Sequence, residues 1–391
     1  ITVTANGYVY ATAKDSAGNV LTASKQITNI DKTLPTVALS PNGGTYTMPT
    51  SGKAKISTKL TVTETGGSGL KTIQYAWSTS NTTEPTSWTT FTSGSTISKT
   101  DITAAGTWYL WTNVVDNAGN RATNVKVSNG FVVGTQSITI KPSTTGWTKG
   151  NITATITYPS ITTSSTRKAG YGTTLANAIT ASNSATAPTT SITVTANGYV
   201  YATAKDSAGN VLTVNKQITN IDKTAPTMTT PTISPTTWTK GNVTLTAKSI
   251  DSASGISYYQ WSTSSGITAS SNGWTSITNT KSQITQNYIA TANGTYYFYT
   301  KDACGNVGAT SIKVSSIDRT APSASIRLSA TETTTTGTVT ATVTHSDTGG
   351  SGVKVASCKW VLNTNSGNIG TSASSYTGGT FSSSSQSINL S

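Results

Sequence analysis

A short pattern with the composition of a metal or catalytic site occurs four times in this chain of 391 residues. In each copy, an aspartate is followed three and four residues later by glycine and asparagine, and the four aspartates are Asp15, Asp116, Asp206 and Asp302. Carboxylate oxygens bind calcium, and a carboxylate can also act as a general acid or base. The same residue types build tight turns, because Asp and Asn bond their local backbone and Gly accepts positive φ. Three interpretations are therefore open: a calcium site, a catalytic carboxylate or a turn.

Calcium has further candidate ligands at the junctions between repeats. Asp31, Asp222 and Asp318 lie in the segments NIDKTLPT, NIDKTAPT and SIDRTAPS, which we call the tethers. A calcium ion takes roughly six to eight oxygens, usually from several carboxylates. Each tether aspartate is instead followed by a lysine or arginine, and no second acid is close to it in sequence. We therefore predict a turn at the repeated pattern and no metal site, with these three aspartates as secondary calcium candidates.

Catalysis has little support in the sequence. The single histidine, His345, has no counterpart in the other repeats, and a Ser-His-Asp arrangement would need one in each active unit. The thirteen acidic residues are scattered rather than paired as glycoside hydrolysis requires, and no phosphate-binding loop or zinc spacing occurs. We predict that the protein is not an enzyme and uses no cofactor.

The elements that carry these residues are repeats. Residues 1–35 and 192–226 are identical except at three positions, which are Ala23/Val214, Ser24/Asn215 and Leu34/Ala225. Successive turn aspartates lie 101, 90 and 96 residues apart, a length typical of one small β-sandwich. We predict the C-terminal part of a domain in 1–35, whole domains in 36–135, 136–226 and 227–322, and the N-terminal part of a domain in 323–391. A proline in each tether stiffens the predicted junction.

The residue pattern within a repeat predicts strands. In GYVYATAKD, the side chains of Val9, Ala11 and Ala13 alternate with those of Tyr8 and Tyr10, so that one face of small apolar residues can enter a core. Thr, Val and Tyr favour strands, Gly and Asn punctuate them, and no segment of ten residues has a persistent helical period. The predicted fold class is all-β.

The tryptophans divide into two predicted groups. Trp77, Trp261 and Trp360 occupy equivalent places in a middle strand and are predicted to pack between the sheets of a sandwich. The other group is predicted to be exposed and able to face a ligand; it consists of Trp88, Trp108, Trp111 and Trp274.

Three motifs together carry a family resemblance. NIDKTAPT, SGISYYQWS and GTYYFYTKDACGNVG follow one another within one repeat. In this order and spacing they resemble the bacterial immunoglobulin-like repeats of large surface adhesins, stalk proteins and some phage virion proteins, and the resemblance covers nearly the entire chain. It implies tandem Ig-like (immunoglobulin or fibronectin III-like) β-sandwiches in an elongated extracellular array on a cell surface. It does not imply a particular ligand, because such domains serve as spacers as well as binders.

Charge and cysteine content narrow the partners. The net charge is +13, but the 26 basic residues are spread singly, whereas nucleic-acid binding favours a dense basic stripe. We predict no nucleic-acid partner and, because no apolar run has membrane length, no membrane insertion of this segment. Cys304 and Cys358 lie in different repeats, so no disulfide within a domain is predicted.

The predicted function follows from these points. We expect a structural protein that acts as a stalk, filament or adhesin shaft; the alternative is a set of glycan-binding modules on an adhesin, a phage fibre or a secreted hydrolase. The expected partners are neighbouring repeats or copies of the same chain, and for the alternative cell-envelope or host glycans. Because the first and last repeats are partial, two organisations are open. The favoured one is a window on a longer array, and the other is head-to-tail polymerisation in which residues 1–33 complete 323–391 of the next chain.

Overall fold

The computed structural model describes residues 1–329, 339–362 and 378–390, and nearly all regular structure within them is β-strand, which confirms the predicted all-β class. The chain divides into two compact units. The first unit comprises residues 1–146 and 150–221, and the second comprises 147–149 and 222–391.

The first unit begins with a hairpin of two strands, β1 (Gly7–Lys14) and β2 (Val20–Ile27). Residues 36–135 then form a sandwich whose strands are β3 (Thr36–Ser40), β4 (Gly44–Thr47), β5 (Ala54–Thr63), β6 (Leu70–Ser78), β7 (Thr89–Thr90), β8 (Ser95–Ile102), β9 (Gly106–Asp116) and β10 (Phe131–Gly134). One sheet has the order β4-β10-β9-β6-β7 and the other the order β3-β5-β8. The pair β4-β10 is parallel and the others are antiparallel.

Strict alternation along β5 builds the core between these two sheets. Ala54, Ile56, Thr58 and Leu60 are buried, while Lys55, Ser57 and Lys59 between them face outward. The apolar ones among the buried residues pack with Leu110 and Phe131 from the facing sheet. Each fully buried side chain of this size contributes about 1.5–3 kcal/mol to folding.

Residues 136–146 and 150–221 form a second sandwich in the same unit, with two three-stranded sheets of order β11-β12-β14 and β13-β15-β16. Its strands are β11 (Thr139–Pro142), β12 (Ile152–Thr157), β13 (Lys168–Gly172), β14 (Ser191–Val194), β15 (Gly198–Lys205) and β16 (Val211–Ile218). A short 3₁₀ helix covers Ser164–Thr166, and an α-helix, α1, covers Leu175–Ser184. The expectation that no segment is helical is therefore wrong for α1.

The hairpins 7–27 and 198–218, which are nearly identical in sequence, have different surroundings in the first unit. In β15, Val200, Ala202 and Ala204 are fully buried, which confirms for this copy the predicted core-facing side of the strand. The equivalent residues of β1 are exposed or half-exposed, because among the described residues β1 pairs only with β2 and no second sheet covers it. The same sequence thus forms the same hairpin in two very different environments.

In the second unit, residues 227–322 form a sandwich of β17 (Thr227–Met228), β18 (Thr232–Ser234), β19 (Val243–Ile250), β20 (Ile256–Ser262), β21 (Thr275–Thr280), β22 (Ile284–Ala290), β23 (Gly294–Asp302) and β24 (Val307–Val314). One sheet has the order β17-β19-β18 with β22 also paired to β19, and the other has the order β21-β20-β23-β24. Val243, Leu245 and Phe298 are fully buried inside it.

Residues 323–391 contribute β25 (Ser323–Leu328), β26 (Val339–Ser346), β27 (Lys359–Trp360), β28 (Gly379–Thr380) and β29 (Ser385–Leu390), with a 3₁₀ helix at Val355–Ser357. These strands form the sheets β25-β26-β29 and β27-β28.

The middle-strand tryptophans pack as predicted. Trp77 lies edge-on against Phe131, with ring centroids 5.2 Å apart, and Trp261 lies 4.9 Å from Phe298. Trp360 packs against the small core of its segment. Within the described residues, we find no helix with the length and apolar character needed to cross a membrane.

Candidate functional site: carboxylate clusters at the domain junctions

The Asp/Gly/Asn pattern is a tight turn in all four copies, as predicted. In the first copy, Asp15 Oδ1 accepts the backbone N–H of Asn19 at 2.8 Å, and Oδ2 accepts the Asn19 side chain at 2.9 Å. The glycine between them, Gly18, has a φ of 94°, which disfavours any other residue there. The other three copies repeat both bonds, so the pattern is explained locally by turn formation.

The turn asparagine has a second role in three of the four copies. The side chain of Asn120 also donates to the backbone oxygen of Asp31 at 3.1 Å, and Asn306 donates in the same way to Asp222. Asn210 instead pairs with the backbone of Lys55, donating at 2.8 Å and accepting at 2.7 Å. The turn is therefore also bonded to the segment that precedes its sandwich, which is the tether for Asn120 and Asn306 and the preceding sandwich for Asn210.

In the first unit, three acidic side chains meet beside such a turn; we call them the first cluster. They are Asp31 from the tether, Glu64 from the loop after β5 and Asp116 at the end of β9, and one oxygen from each lies within 4.8 Å of the others. Asp116 is fully buried, while the other two are half-buried. A cleft of about 400 Å³, lined in part by Asp31, Ser68 and Asn117, opens beside them.

Backbone donors fix the carboxylates of the first cluster. Asp31 accepts from the N–H groups of Thr33 at 2.9 Å and Ser68 at 3.1 Å, and Glu64 accepts from Gly66 and Gly69 in the same loop. A Cβ at Gly66 would lie 1.9 Å from Asp31 Oδ1, so only glycine allows this approach of the tether to the loop.

In the second unit, Asp222, Asp251 and Asp302 form an equivalent arrangement, the second cluster, again with one oxygen from each within 4.8 Å of the others. All three are buried, at 3%, 5% and 1% exposure. The N–H of Ser254 donates to Asp222 at 3.0 Å, and the N–H of Gly255 donates to Asp251 at 2.7 Å.

Half of this arrangement recurs later in the second unit. Asp318 accepts the N–H of Ser351 at 3.0 Å, and the hydroxyl of Ser351 donates to Asp347 at 3.2 Å. The three loops that face a tether therefore share an acid and, three or four residues later, a serine followed by glycine. Among the described residues, no third carboxylate completes a cluster at Asp318.

The electrostatics of the two clusters differ. Burial raises the pKa of Asp302, the hydrogen bonds from Asn306 oppose this, and the charges of Asp222 and Asp251 raise the pKa further, so that the net shift is upward. Burial also raises the pKa of Asp116, but the side-chain and backbone hydrogen bonds from Asn120 outweigh it and the net shift is downward. The pKa of Asp31 is lowered by the nearby hydroxyl of Ser68 and the backbone of Thr33. The pKa values of the turn aspartates in the two clusters are thus shifted in opposite directions.

Sequence reasoning found part of these clusters and missed the rest. The tether candidates Asp31 and Asp222 lie in the two clusters, and Asp318 holds the equivalent position where only Asp347 accompanies it. Glu64 and Asp251 were missed, because they follow the tether aspartates by 33 and 29 residues and reach them only through the fold. The statement that no second acid is close is true along the chain and wrong in space. The available signal was the acid before each Ser-Gly, in ETGGSG, DSASG and DTGGSG.

The predicted ligand-facing tryptophans do not form one surface. Trp111 is buried at 3% exposure and its Nε1 donates to the backbone oxygen of Ser80, so the expectation that it is exposed is wrong. Strand alternation places it on the face of β9 opposite to the core residue Leu110, where the loop that carries Ser80 and the side chain of Lys126 cover it. Trp108 is half-buried against the core, under Lys99, and Trp88 is half-buried. Trp274 is half-buried and lies 4.7 Å from Lys301 Nζ.

The two most exposed tryptophans were not among those predicted. Trp147 and Trp238 are 37% and 47% exposed, and both open the motif WTKGN in successive repeats. The Trp238 ring lies against Gly350, where an added Cβ would come within 3.0 Å of it. Lys281 Nζ lies 4.9 Å from the centre of the Trp147 ring.

Comparison with known proteins adds little beyond the fold. No protein-family model matches the chain, and no curated protein is significantly similar in sequence. Among solved structures, the chain is similar to the N-terminal eight Ig domains of Down syndrome cell adhesion molecule, at 11% identity over 88% of this chain and 49% of that one, with a TM-score of 0.19. It is also similar to the FN1–FN3 domains of chicken CNTN1, at 10% identity over 72% of this chain and 97% of that one, with a TM-score of 0.19. Salmonella alpha-2-macroglobulin is similar at 10% identity over 87% of this chain and 29% of that one, with a TM-score of 0.18. The chain spans about half of the first of these proteins and under a third of the last. The Ig-like assignment therefore stands on the two-sheet sandwiches described above.

Proposed function

We propose that this chain is a non-enzymatic, extracellular structural segment in which tandem Ig-like domains form a stalk, filament or adhesin shaft on a bacterial surface. The observation that carries the proposal is that the tethers at 29–36 and 316–323 are bonded on both sides. A chain built only to connect mobile binding modules would not need these bonds.

The tether at 316–323, in the second unit, shows the arrangement most fully. Ile317 is buried in the core of the preceding sandwich, and its backbone exchanges two hydrogen bonds with the side chain of Asn293. Arg319 also points back, donating to the backbone oxygen of Thr291 at 2.6 Å. Asp318, between them, points forward and accepts from Ser351 of the following segment. Successive side chains thus attach this short segment to both of its neighbours.

The tether at 29–36, in the first unit, repeats this pattern. The side chain of Asn6 exchanges two hydrogen bonds of 2.9 Å with the backbone of Ile30, and Asp31 accepts from Ser68 of the next sandwich. Bonds of this kind contribute about 0.5–1.5 kcal/mol each, so several together can hold one geometry.

The junction between 36–135 and 136–226 lacks a tether motif but has an equivalent attachment. Asp206 accepts the N–H of Thr47 at 2.9 Å, in addition to its bonds within the turn. Asn210 pairs with both backbone groups of Lys55, as described above. We propose that the partners of the array are neighbouring repeats, in the same chain or in a further copy, held by contacts of this type.

Distance measurements between spin labels test the proposal. Labels at Ser87 and Ser184, exposed positions in the two sandwiches of the first unit, would be introduced into a chain with both native cysteines replaced by serine. An ordered junction predicts one narrow distance distribution. A broad distance distribution in this labelled chain, which is the parent for the variants below, would contradict the structural role and favour independently moving modules.

Removal of the turn asparagine is expected to have unequal effects in the two nearly identical hairpins. Asn210→Ala removes three side-chain hydrogen bonds and leaves the Lys55 backbone unpaired, so it should lower the free energy of unfolding by about 1–3 kcal/mol and broaden the distance distribution. Asn19→Ala, the matched control, removes only the side-chain bond to Asp15 and should change neither measurement noticeably. Equal effects in urea titrations of the two variants would contradict an attaching role for Asn210.

One observation favours glycan binding as the second candidate function. Exposed aromatic residues at equivalent positions of successive repeats are what a repeated binder would show, and Trp147 and Trp238 meet that description. A glycan array probed with the parent and with the double variant Trp147→Ala/Trp238→Ala would distinguish the two functions. Binding by the parent that is lost in the double variant would support glycan binding. If the parent binds no glycan, the structural role is favoured.

A further inference from the structure

We propose that Asn6 is a site of covalent self-modification, at which its side chain and the backbone of Gly7 close to a succinimide that opens to aspartate or isoaspartate. Asn197 and Asn293 are protected counterparts of the same position. The chemistry goes beyond the structural role proposed above, and only its consequence for the junction rests on that role.

The sequence asparagine-glycine is the one most open to this reaction, because glycine has no side chain to hinder ring closure. It occurs six times, at Asn6, Asn42, Asn129, Asn197, Asn272 and Asn293. Three of these asparagines belong to the repeated sequence Thr-Ala-Asn-Gly, whose glycine is the first residue of β1, β15 or β23. The labile dipeptide is therefore part of the repeat itself.

In all three copies the asparagine side chain holds the start of a tether, in an arrangement that we call the clamp. Asn197 Oδ1 accepts the N–H of Ile221 at 2.8 Å, and Asn197 Nδ2 donates to the backbone oxygen of the same residue at 2.9 Å. Asn6 and Asn293 make the same two bonds to the isoleucine before their tether aspartates. Because Nδ2 is the atom that leaves as ammonia, an intact clamp restrains the group that must react.

The clamps differ in how firmly the isoleucine is seated. Ile221 and Ile317 are 5% and 6% exposed and belong to the cores of their sandwiches. Ile30, the partner of Asn6, is only half-buried, and among the described residues its hairpin is covered by no second sheet. Segments with little packing open more often than core segments. The clamp at Asn6 is therefore the one that opens most readily.

The glycines that supply the nucleophile differ in the same way. Gly198 is buried, and a Cβ built there would lie 2.4 Å from the backbone oxygen of Gly172. Gly7 is exposed, and outside its chain neighbours no atom lies within 4 Å of a Cβ built there. The backbone at Gly7 thus has room to move toward the side chain of Asn6, whereas the backbone at Gly198 is held by packing.

The reaction needs only water and is balanced without a cofactor. The backbone nitrogen of Gly7 attacks Cγ of Asn6 and forms the ring bond, the Cγ–Nδ2 bond breaks, and the proton of the Gly7 N–H leaves with ammonia. Water then adds to one of the two ring carbonyls and gives aspartate or isoaspartate. Nothing is oxidised or reduced. Because the attacking nitrogen must lose its proton, the rate should rise with pH.

Either product weakens the attachment of the tether at 29–36. The Nδ2 donor to the oxygen of Ile30 is replaced by a carboxylate oxygen, which can only accept. Isoaspartate also adds one methylene to the main chain immediately before β1. The tether then loses a bond to the hairpin irreversibly, while its bond from Asp31 to Ser68 is unchanged.

The matched pair Asn6 and Asn197 tests the proposal, because residues 1–22 and 192–213 are identical and intrinsic reactivity cancels. The full chain would be incubated in mildly alkaline buffer made with heavy-oxygen water, digested in ordinary water and analysed by mass spectrometry. Label should enter residue 6 at least about 10-fold faster than residue 197. In concentrated urea, where both clamps are open, the two rates should be equal. Equal rates in the native chain, or an unequal pair of rates in urea, would overturn the proposal.

A pair of variants separates the clamp from other sources of protection. Ile221→Ala keeps both backbone bonds of the clamp but removes its seat in the core, so it should raise the rate at Asn197 at least about 3-fold. Ile30→Ala, the matched control, should change the rate at Asn6 by less than about 2-fold, because Ile30 is poorly seated already. An unchanged rate at Asn197 in Ile221→Ala would contradict protection by the clamp.

This test and the test of the structural role fail separately. Equal label at residues 6 and 197 leaves the distance distribution between Ser87 and Ser184 as predicted, since neither label lies at a clamp. A broad distance distribution between those labels leaves the difference between the two asparagines as predicted.

Discussion

Leu212→Ala is expected to lower the free energy of unfolding by about 2–5 kcal/mol, whereas Leu21→Ala, the same change in the same local sequence, should alter it by less than about 0.5 kcal/mol. Leu212 is 3% exposed and packs with Ile138, Ile156 and Ala202, so truncation leaves a cavity. Leu21 is 71% exposed on the uncovered hairpin. The two positions have the same neighbours in sequence, so intrinsic propensity cancels in the comparison.

Urea titration of the parent and the two single variants measures this difference. The midpoint should shift strongly for Leu212→Ala and remain in place for Leu21→Ala. A large loss of stability in Leu21→Ala that depends on protein concentration would contradict the exposed state of β1 and β2. It would favour coverage of the hairpin by a second copy of the chain.

Gly170→Ala is expected to destabilise the first unit by about 3 kcal/mol or more. The added Cβ would lie 2.2 Å from the backbone nitrogen of Ser182 and 2.6 Å from the oxygen of Ala178, both in α1. Overpacking usually costs about 1–3 kcal/mol, and these atoms belong to a helix backbone that cannot rotate away. The helix must therefore move off β13 or the strand must distort.

Gly106→Ala is the matched control for this prediction. Gly106 is the first residue of strand β9. Apart from Gly106 and its two chain neighbours, no residue has an atom within 4 Å of a Cβ built there. The free energy of unfolding of Gly106→Ala should stay the same or rise slightly, because alanine lowers the conformational entropy of the unfolded chain. Similar urea unfolding midpoints for Gly170→Ala and Gly106→Ala would contradict direct packing of α1 on β13.

The same helix shows where sequence patterns are informative and where they are not. The strands were predictable, because β5 and β15 alternate strictly and bury one face. Helix α1 was missed because its buried positions, Ala178 and Ser182, are small and leave no apolar stripe. Small residues suffice there because the strand below presents Gly170. A pattern search detects hydrophobic faces and does not detect close packing of small residues against backbone.

The site shows the same limit for a different reason. The turn at each Asp/Gly/Asn pattern is local, spans five residues and was predicted correctly. The carboxylate clusters are not local, since tether, loop and strand end meet only when the sandwich closes. Trp111 was misassigned because it lies on the face of β9 opposite to the core residue Leu110 and is buried only by the loop that carries Ser80 and the side chain of Lys126, which the strand pattern does not reveal.

The central claim is that the repeated hairpin is a structural part whose stability comes from the strands and domains around it. Hydrogen exchange of the segments 7–27 and 198–218 tests this directly, because they differ only at Ala23/Val214 and Ser24/Asn215 and have nearly equal intrinsic exchange rates. β15 is paired on both sides, whereas β1 is paired only with β2, and a lone hairpin is marginally stable. We predict that amides of β15 exchange at least about 100-fold more slowly than those of β1. Equal protection of the two segments in the monomeric chain would contradict the claim.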